Sequence, residues 1–154
     1  MSDYKATIEW ARVTADFDYK TYNRSHTLSF EGGIHVPGSA AAGNTPPTAA
    51  GAPAVDPEQA FVASLSSCHL LWFLHIASQA KLVVDRYVDE ASGVLEKNAE
   101  GRMAMTRVTL RPAVTYAGRQ PTTQEHAELH GRAHDKCFIA NSVKTEVTVE
   151  PRLA

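Results

Sequence analysis

Residues 56–81 read DPEQAFVASLSSCHLLWFLHIASQAK and predict one long helix. Asp56 is a suitable N-cap, Pro57 fits the first helical position, and Glu58 places an acid in the first turn. The 22 residues that follow Glu58 carry no charge, and large apolar side chains occur on every side of the helix. Because a helix without a polar face needs protein around it, we expect a buried central helix. A chain of 154 residues can barely surround such a helix, so we also expect a second subunit.

The same uncharged segment is long enough to cross a membrane. It contains polar side chains that would be costly in lipid, and no basic cluster flanks it to orient an insertion. We therefore expect no membrane span. The polar residues of the segment are Ser64, Ser66, Ser67, His69, His75, Ser78 and Gln79.

The composition predicts a globular protein and excludes several classes. The net charge of −2 does not favour nucleic acid as a main partner. Two cysteines cannot form the disulfide framework of a small secreted protein. The first residues, Met-Ser-Asp-Tyr-Lys-Ala, lack the apolar core of a signal peptide. We therefore expect a cytoplasmic protein.

The remaining segments predict an α+β fold in a single domain spanning residues 1–154. Alternating apolar and polar residues predict strands, and Pro121 followed by Thr122 and Thr123 predicts the start of a second helix ending near Lys136. Residues 37–55, rich in Pro, Gly and Ala, predict a flexible loop that acts either as a lid or as a slack connection. The predicted strands are 4–10, 27–30, 34–36, 87–95, 105–116 and 143–149.

Two cysteines are the first candidates for chemistry. Cys68 lies midway along the central helix, and Cys137 lies at the end of the second helix. They are either small buried hydrophobes or a redox pair that the fold brings together, and their spacing does not decide between the two. The helical neighbours of Cys68 are mostly apolar, so a reactive thiolate needs a cation from another segment. Arg24 is the best candidate for that cation.

Three histidines, His126, His130 and His134, follow one another at intervals of four residues. Two histidines at this spacing on a helix can chelate a metal ion. The segment lacks both the HExxH and the HxxEH signatures of zinc proteases. We expect a solvated helix face and no metal.

Two motifs resemble those of the OsmC/Ohr family, the osmotically inducible and organic-hydroperoxide-resistance proteins. Residues 56–69, DPEQAFVASLSSCH, are similar to the family's central-helix motif. Residues 137–143, CFIANSV, resemble its second-cysteine motif, with Phe138 where many members have proline. The order of the predicted elements also matches over most of the chain.

The resemblance implies an intertwined homodimer with an antiparallel sheet around the long buried helix and with sites at the subunit interface. It also implies a thiol peroxidase that reduces organic hydroperoxides without a metal or another cofactor. Cys68 matches the peroxidatic cysteine, Cys137 the resolving cysteine, and Glu58 the acid that holds an arginine. The family supplies this arginine from segments ahead of the helix, so Arg24 is the nearest match and Arg12 the next.

In the implied cycle, Cys68 becomes a sulfenic acid and condenses with Cys137 to a disulfide. An external dithiol then reduces this disulfide, and a lipoyl-type dithiol is one candidate. An apolar substrate pocket is expected from Leu65, Leu71, Trp72 and Phe73. Glu58 and Cys68 are about 15 Å apart on a straight helix, so the arginine can bridge them only if the helix breaks or another subunit contributes.

Two other functions stay open from the sequence. The first is a stress-related or small hydrophobic ligand-binding protein on the same fold, without catalysis. The second is a metal-binding module that uses His126 and His130.

Overall fold

The computed structural model describes residues 1–46 and 51–154, which form two helices and nine strands. The predicted α+β class is confirmed. The described residues divide into two compact units, Met1–Ala60 and Phe61–Ala154, and the prediction of a single domain stays a prediction. The elements are β1 Ala6–Glu9, β2 His26–Phe30, β3 Ile34–Gly38, α1 Pro57–Gln79, β4 Val83–Asp89, β5 Ser92–Lys97, β6 Met103–Leu110, β7 Pro112–Ala117, α2 Thr123–Lys136, β8 Glu146–Val149 and β9 Arg152–Leu153.

The first unit contains an antiparallel sheet in the order β1-β2-β3. The hairpin between β2 and β3 turns at Gly32 and Gly33, whose φ angles of 81° and 78° are unfavourable for residues with a side chain. Phe30 pairs with Ile34 across this turn. A hairpin therefore joins the predicted strands 27–30 and 34–36, and its turn depends on the two glycines.

The predicted flexible loop at 37–55 has regular structure at both ends. Strand β3 continues to Gly38, which bridges to Val55, and residues Ala42–Asn44 form a 3₁₀ turn. The rest of the predicted loop includes residues 47–50, which lie outside the described residues. Its role as a lid or a connection stays a prediction.

The central helix begins with the predicted cap. Asp56 Oδ1 accepts a hydrogen bond of 2.7 Å from the backbone N–H of Gln59, and the Gln59 side chain reaches back to the Asp56 N–H at 3.5 Å. This reciprocal pair is a capping box. After Gln79 the chain turns at Lys81, whose φ of 57° is left-handed, and the N–H groups of Lys81 and Leu82 bond back to the last turn.

The second unit contains two further sheets, ordered β4-β7-β9 and β5-β6-β8. The single strands predicted at 87–95 and 105–116 are wrong, because each is divided between the two sheets. Asp89 marks the division: its carboxylate accepts hydrogen bonds of 2.6 Å from the Arg111 N–H and from Ser66 Oγ. Pro112, which lacks an N–H, opens the next strand. Strands β8 and β9 pair in parallel with β6 and β7.

Two apolar clusters form the core of the second unit. One joins α1 and α2 to β4 and β7 around Phe73, and the other packs Leu65 against Val108 and Leu110 of β6. On α1 the buried side chains form a single stripe: Leu65, His69, Phe73, Ile76 and Ala77.

The rest of α1 is less covered than the sequence suggested. Leu71 is 65% exposed and Leu74 is 38% exposed. By length and composition α1 could also cross a membrane, and 28% of its most apolar window is buried. Within the described residues, one chain therefore does not surround this helix on all sides.

Candidate active site

Cys68 lies midway along α1, at the edge of the buried stripe. His69, the next residue, points about 100° away and is fully buried in the core. Cys68 itself is half-buried, and its thiol is free. The position therefore combines a fixed backbone with an accessible sulfur.

Cys137 is the C-cap residue of α2. Its N–H bonds to the carbonyl of His134 at 3.1 Å, and the chain then makes a 3₁₀ turn at Ala140–Ser142. The backbone N–H of Ala140 points at Cys137 Sγ with a separation of 3.4 Å. Cys137 is 1% exposed, so protein atoms surround its side chain.

The fold brings the two thiols together across 69 positions of sequence. Cys68 lies close enough to affect the ionisation of Cys137, and neither thiol is in a disulfide. Burial, followed by the interaction with the Cys68 side chain, raises the pKa of Cys137 to about 11. Cys137 therefore stays a protonated thiol near neutral pH. Of the two alternatives left open by the sequence, the arrangement favours a pair over two isolated packing residues.

A cavity of about 320 Å³ opens beside Cys68. Two of the expected pocket residues, Leu71 and Trp72, line it, and His75 and Phe138 complete the wall. Trp72 makes edge-to-face contacts with both additional rings, at centroid distances of 5.4 Å to Phe138 and 5.7 Å to His75. The cavity is thus mostly aromatic and aliphatic, with one thiol and one imidazole.

Leu65 and Phe73 do not line this cavity, contrary to expectation. Both are fully buried core residues: Leu65 packs on β6, and Phe73 stacks on His130 with ring centroids 4.1 Å apart. The reason is helical phase. Leu65 and Phe73 belong to the buried stripe, whereas Leu71 and Trp72 lie three and four residues after Cys68 on the open face.

Arg24 lies in the first unit and is only 9% exposed. Its guanidinium donates to the carbonyls of Tyr22 at 3.0 Å and Tyr19 at 2.8 Å, and it lies 4.0 Å from the centroid of the Tyr22 ring. The fallback candidate, Arg12, also uses its guanidinium locally, on the carbonyls of Thr14 and Ala15. Both arginines are therefore held by their own segments.

Glu58 occupies the first turn of α1 and is half-buried. Among the described residues its carboxylate forms no ion pair with Arg24, so the expected Arg24–Glu58 pair is not formed within one chain. The helix is unbroken between Glu58 and Cys68, which keeps the two about 15 Å apart along the axis. The roles of Arg24 and Glu58 stay predictions.

The histidine stripe of α2 faces the core, so the expected solvated face is wrong. His126 is 2% and His130 is 1% exposed. His126 Nδ1 bonds to the Tyr116 hydroxyl at 2.8 Å, and His130 Nδ1 bonds to Nε2 of His69 at 2.9 Å. The sequence pattern suggested a solvated face because histidine is polar, but ring stacking and one hydrogen-bonded nitrogen on each ring accompany its burial here.

Burial controls the ionisation of this cluster. Desolvation lowers the pKa of His69 to about 4 and that of His130 to about 2, and it also lowers the pKa of His126. Desolvation raises the pKa of Tyr116 to about 12. These groups are therefore neutral near pH 7. Among the described residues no three His, Cys, Asp or Glu side chains are arranged to hold a metal ion.

Comparison with known proteins identifies the family. The family model described as OsmC-like protein matches residues 49–152. The chain belongs to the OsmC-like family. An OsmC-like protein of unknown function from Vibrio cholerae has 44% sequence identity, covers 98% of this chain and 99% of its own, and superimposes with a TM-score of 0.94. A search of curated proteins gives no match.

More distant members share the fold alone. An organic hydroperoxide resistance protein from Elizabethkingia anophelis has 16% identity, covers 100% of this chain and 96% of its own, and has a TM-score of 0.67. The organic hydroperoxide resistance protein OhrB of Bacillus subtilis has 19% identity, covers 99% and 98%, and has a TM-score of 0.65. The resemblance seen in the two motifs is therefore confirmed at the level of family and fold.

Sequence reasoning missed two residues of the cavity and one neighbouring pair. His75 follows Cys68 by seven residues, so the sequence places it on the same face about two helical turns along, but the expected pocket did not include it. Phe138 directly follows Cys137, and its ring reaches Trp72 and the cavity only in the fold. The His69–His130 pair joins two helices, and the sequence of neither helix alone indicates this contact.

Proposed function

We propose that this OsmC-like protein is a thiol-dependent peroxidase that reduces organic hydroperoxides to alcohols. The observation that carries the proposal is the meeting of Cys68 and Cys137 beside an apolar cavity. An accessible thiol beside a buried one is the arrangement that a two-cysteine peroxidase needs. The carbon-rich wall favours alkyl or aryl hydroperoxides over hydrogen peroxide, which cannot gain from apolar contacts.

The cycle has three balanced steps. The Cys68 thiolate attacks the terminal oxygen of ROOH, the O–O bond breaks, and the products are Cys68 sulfenic acid and an alkoxide that takes up a proton. The Cys137 thiolate then attacks the sulfenic sulfur, forming a disulfide and releasing hydroxide. An external dithiol reduces the disulfide by two exchange reactions and is itself oxidised to a disulfide.

The cation for the Cys68 thiolate is proposed to be Arg24, held by Glu58. Within one chain the two residues are not paired, so their assembly requires a second copy of the chain or a rearrangement. The incompletely covered α1, with Leu71 and Leu74 exposed, supports a homodimer. Light scattering that gives a mass twice the 16.7 kDa of the chain is the expected result, and a monomer at micromolar concentration would contradict it.

The test is consumption of tert-butyl hydroperoxide with a dithiol as reductant. Turnover is expected in the wild type, and Cys68→Ser is expected to abolish it. The Cys137→Ser variant is expected to consume one equivalent of peroxide and then stop, because the sulfenic acid on Cys68 is not resolved. Dimedone traps this sulfenic acid as an adduct that the mass spectrum shows. Ser67→Ala, a change at an exposed neighbouring position on the same helix, is the matched control and keeps turnover. Turnover that survives Cys68→Ser would refute the proposal.

A second candidate function is binding of a small hydrophobic ligand without catalysis. Its support is the cavity together with the engagement of Arg24 by the Tyr19 and Tyr22 carbonyls, which keeps this cation occupied. Peroxide-treated protein that shows no Cys68–Cys137 disulfide in the mass spectrum, yet binds an apolar fluorescent probe competitively with hydrocarbons, would favour this function.

A further inference from the structure

The wall of the Cys68 cavity holds one imidazole. His75 follows Cys68 by seven residues, which is two helical turns less about 20°, so both side chains project from the same face of α1. Their backbones are about 10 Å apart along the helix axis. Helical side chains lean toward the N-terminus, and the longer side chain of His75 extends further in that direction than the side chain of Cys68.

The orientation of His75 is fixed by Trp72. The imidazole meets the indole edge to face, with ring centroids 5.7 Å apart and planes at 85°. The hydrogen bond of 2.7 Å at this residue joins its backbone carbonyl to Ser78 Oγ, not its ring. Among the described residues the ring nitrogens have no hydrogen-bond partner, and the side chain is exposed. A positioned imidazole with free nitrogens therefore faces the cavity.

The proposed reaction needs a proton at this place. When the O–O bond breaks, the leaving group is an alkoxide, which is a strong base. The other lining side chains, Leu71, Trp72 and Phe138, cannot give up a proton near neutral pH. A further cation, the ammonium of Lys136, lies 5.7 Å from the Trp72 ring centroid. Cys137 is a weak acid, because burial raises the pKa of its thiol to about 11.

We propose that His75 is the general acid that protonates the leaving alkoxide, an inference that rests on the proposed peroxidase function. The Cys68 thiolate forms the S–O bond, the O–O bond breaks, and the imidazolium of His75 gives its proton to the alkoxide, leaving alcohol and neutral imidazole. In-line attack places the leaving oxygen about 4 Å from the sulfur, and a hydrogen bond adds roughly 3 Å. Cys68 and His75 line the same cavity, so one substrate oxygen can lie between them.

The experiment compares two oxidants that need different amounts of acid catalysis. The leaving group of tert-butyl hydroperoxide is a strong base, whereas peracetic acid releases acetate, which needs no proton. The rate of Cys68 oxidation is measured in single turnover for the wild type and for His75→Ala. We expect a loss of about 100-fold with tert-butyl hydroperoxide and less than about threefold with peracetic acid.

Two additional measurements separate catalysis from structure. Added imidazole is expected to restore much of the rate of His75→Ala with tert-butyl hydroperoxide, which it could not do if the ring only supported Trp72. His35→Gln, which removes an exposed histidine of β3, is the matched control and leaves both rates unchanged.

Equal losses with both oxidants, or no loss with either, would overturn the role of His75. Failure of the peroxidase proposal has a different signature, because the wild type itself would then not turn over tert-butyl hydroperoxide.

Discussion

His69 of α1 and His130 of α2 share a hydrogen bond of 2.9 Å between Nε2 and Nδ1, inside the core of the second unit. The planes of the two rings are inclined by only 8°, and Phe73 stacks on His130 with ring centroids 4.1 Å apart. One of the two nitrogens donates and the other accepts, and burial favours the neutral form of both rings. Protonation of the accepting nitrogen breaks this arrangement.

The first prediction is that the protein loses stability in mild acid. Burial lowers the pKa of His69 from 6.5 to about 4, so between these values the unfolded chain binds more protons than the folded one. The stabilisation is complete above pH 6.5 and is lost as the pH falls toward 4. We expect the free energy of unfolding to fall by about 2 kcal/mol per affected histidine between pH 7 and pH 5, measured by urea titration.

A variant without the titrating ring checks the cause of this loss. The His69→Gln variant keeps a hydrogen-bonding side chain but loses the titrating ring. Its free energy of unfolding should therefore depend less on pH over the same range. His35→Gln removes an exposed histidine and should leave the pH dependence as in the wild type. Equal slopes in the wild type and in His69→Gln would show that other groups cause the acid sensitivity.

The second prediction concerns the rate at which Cys137 resolves the sulfenic acid. Because the pKa of Cys137 is raised to about 11, little of it is thiolate near pH 7. The reactive thiolate fraction of such a group rises about tenfold per pH unit below its pKa. We expect disulfide formation after a single addition of peroxide to accelerate strongly between pH 6.5 and pH 9, as followed by quenching and mass spectrometry. A rate that does not change with pH would contradict a thiolate attack by Cys137.

The sequence predicted the elements with strong local signals. The Asp56–Gln59 cap and the Thr122 cap, which accepts the Glu125 N–H at 3.1 Å, place both helix starts correctly. The Gly32-Gly33 pair separates the predicted strands 27–30 and 34–36. Each of these signals is complete within four residues, so no tertiary contact is needed to recognise it.

Features set by distant contacts could not be predicted in this way. The strands at 87–95 and 105–116 look continuous because the Asp89 contacts that divide them come from another part of the chain. The burial of His126 and His130 depends on Tyr116 and His69, which meet them only in the fold. For the site, the resemblance identified the two cysteines. Their proximity and the residues of the cavity wall depend on the fold and could not be predicted from the sequence.

The third prediction uses two glycines that differ in their surroundings. A Cβ at Gly93 in β5 would overlap Cε of Met105 and would lie 2.8 Å from Cγ2 of Val62. Met105 can move, but Val62 is β-branched and fixed on α1, so Gly93→Ala should cost about 1–3 kcal/mol of stability. In contrast, a Cβ at Gly131, in the middle of α2, would have nothing within 4 Å.

Gly131→Ala is the matched comparison for this prediction. The same substitution in an open helical position should stabilise the protein by about 0.5–1 kcal/mol, because alanine is the better helix former. Both variants are compared by urea denaturation at one pH. Stabilisation by Gly93→Ala would mean that β5 and α1 are not packed as closely as these contacts require.

The last prediction is that oxidation stabilises the fold. A bond between Cys68 and Cys137 would close a loop of about 70 residues, and the entropy removed from the unfolded chain corresponds to roughly 4 kcal/mol as an upper value. In the reduced protein the Cys68 side chain already interacts with that of Cys137. The urea midpoint of peroxide-treated protein should therefore lie above that of protein kept in a phosphine reductant. Cys137→Ser, which cannot form the bond, should have the same midpoint under both conditions. Mass spectrometry checks that the disulfide is complete in the oxidised wild type. If the two midpoints are then identical, the strain that the disulfide puts on the native contact between α1 and the end of α2 equals the stabilisation it gives by restraining the unfolded chain.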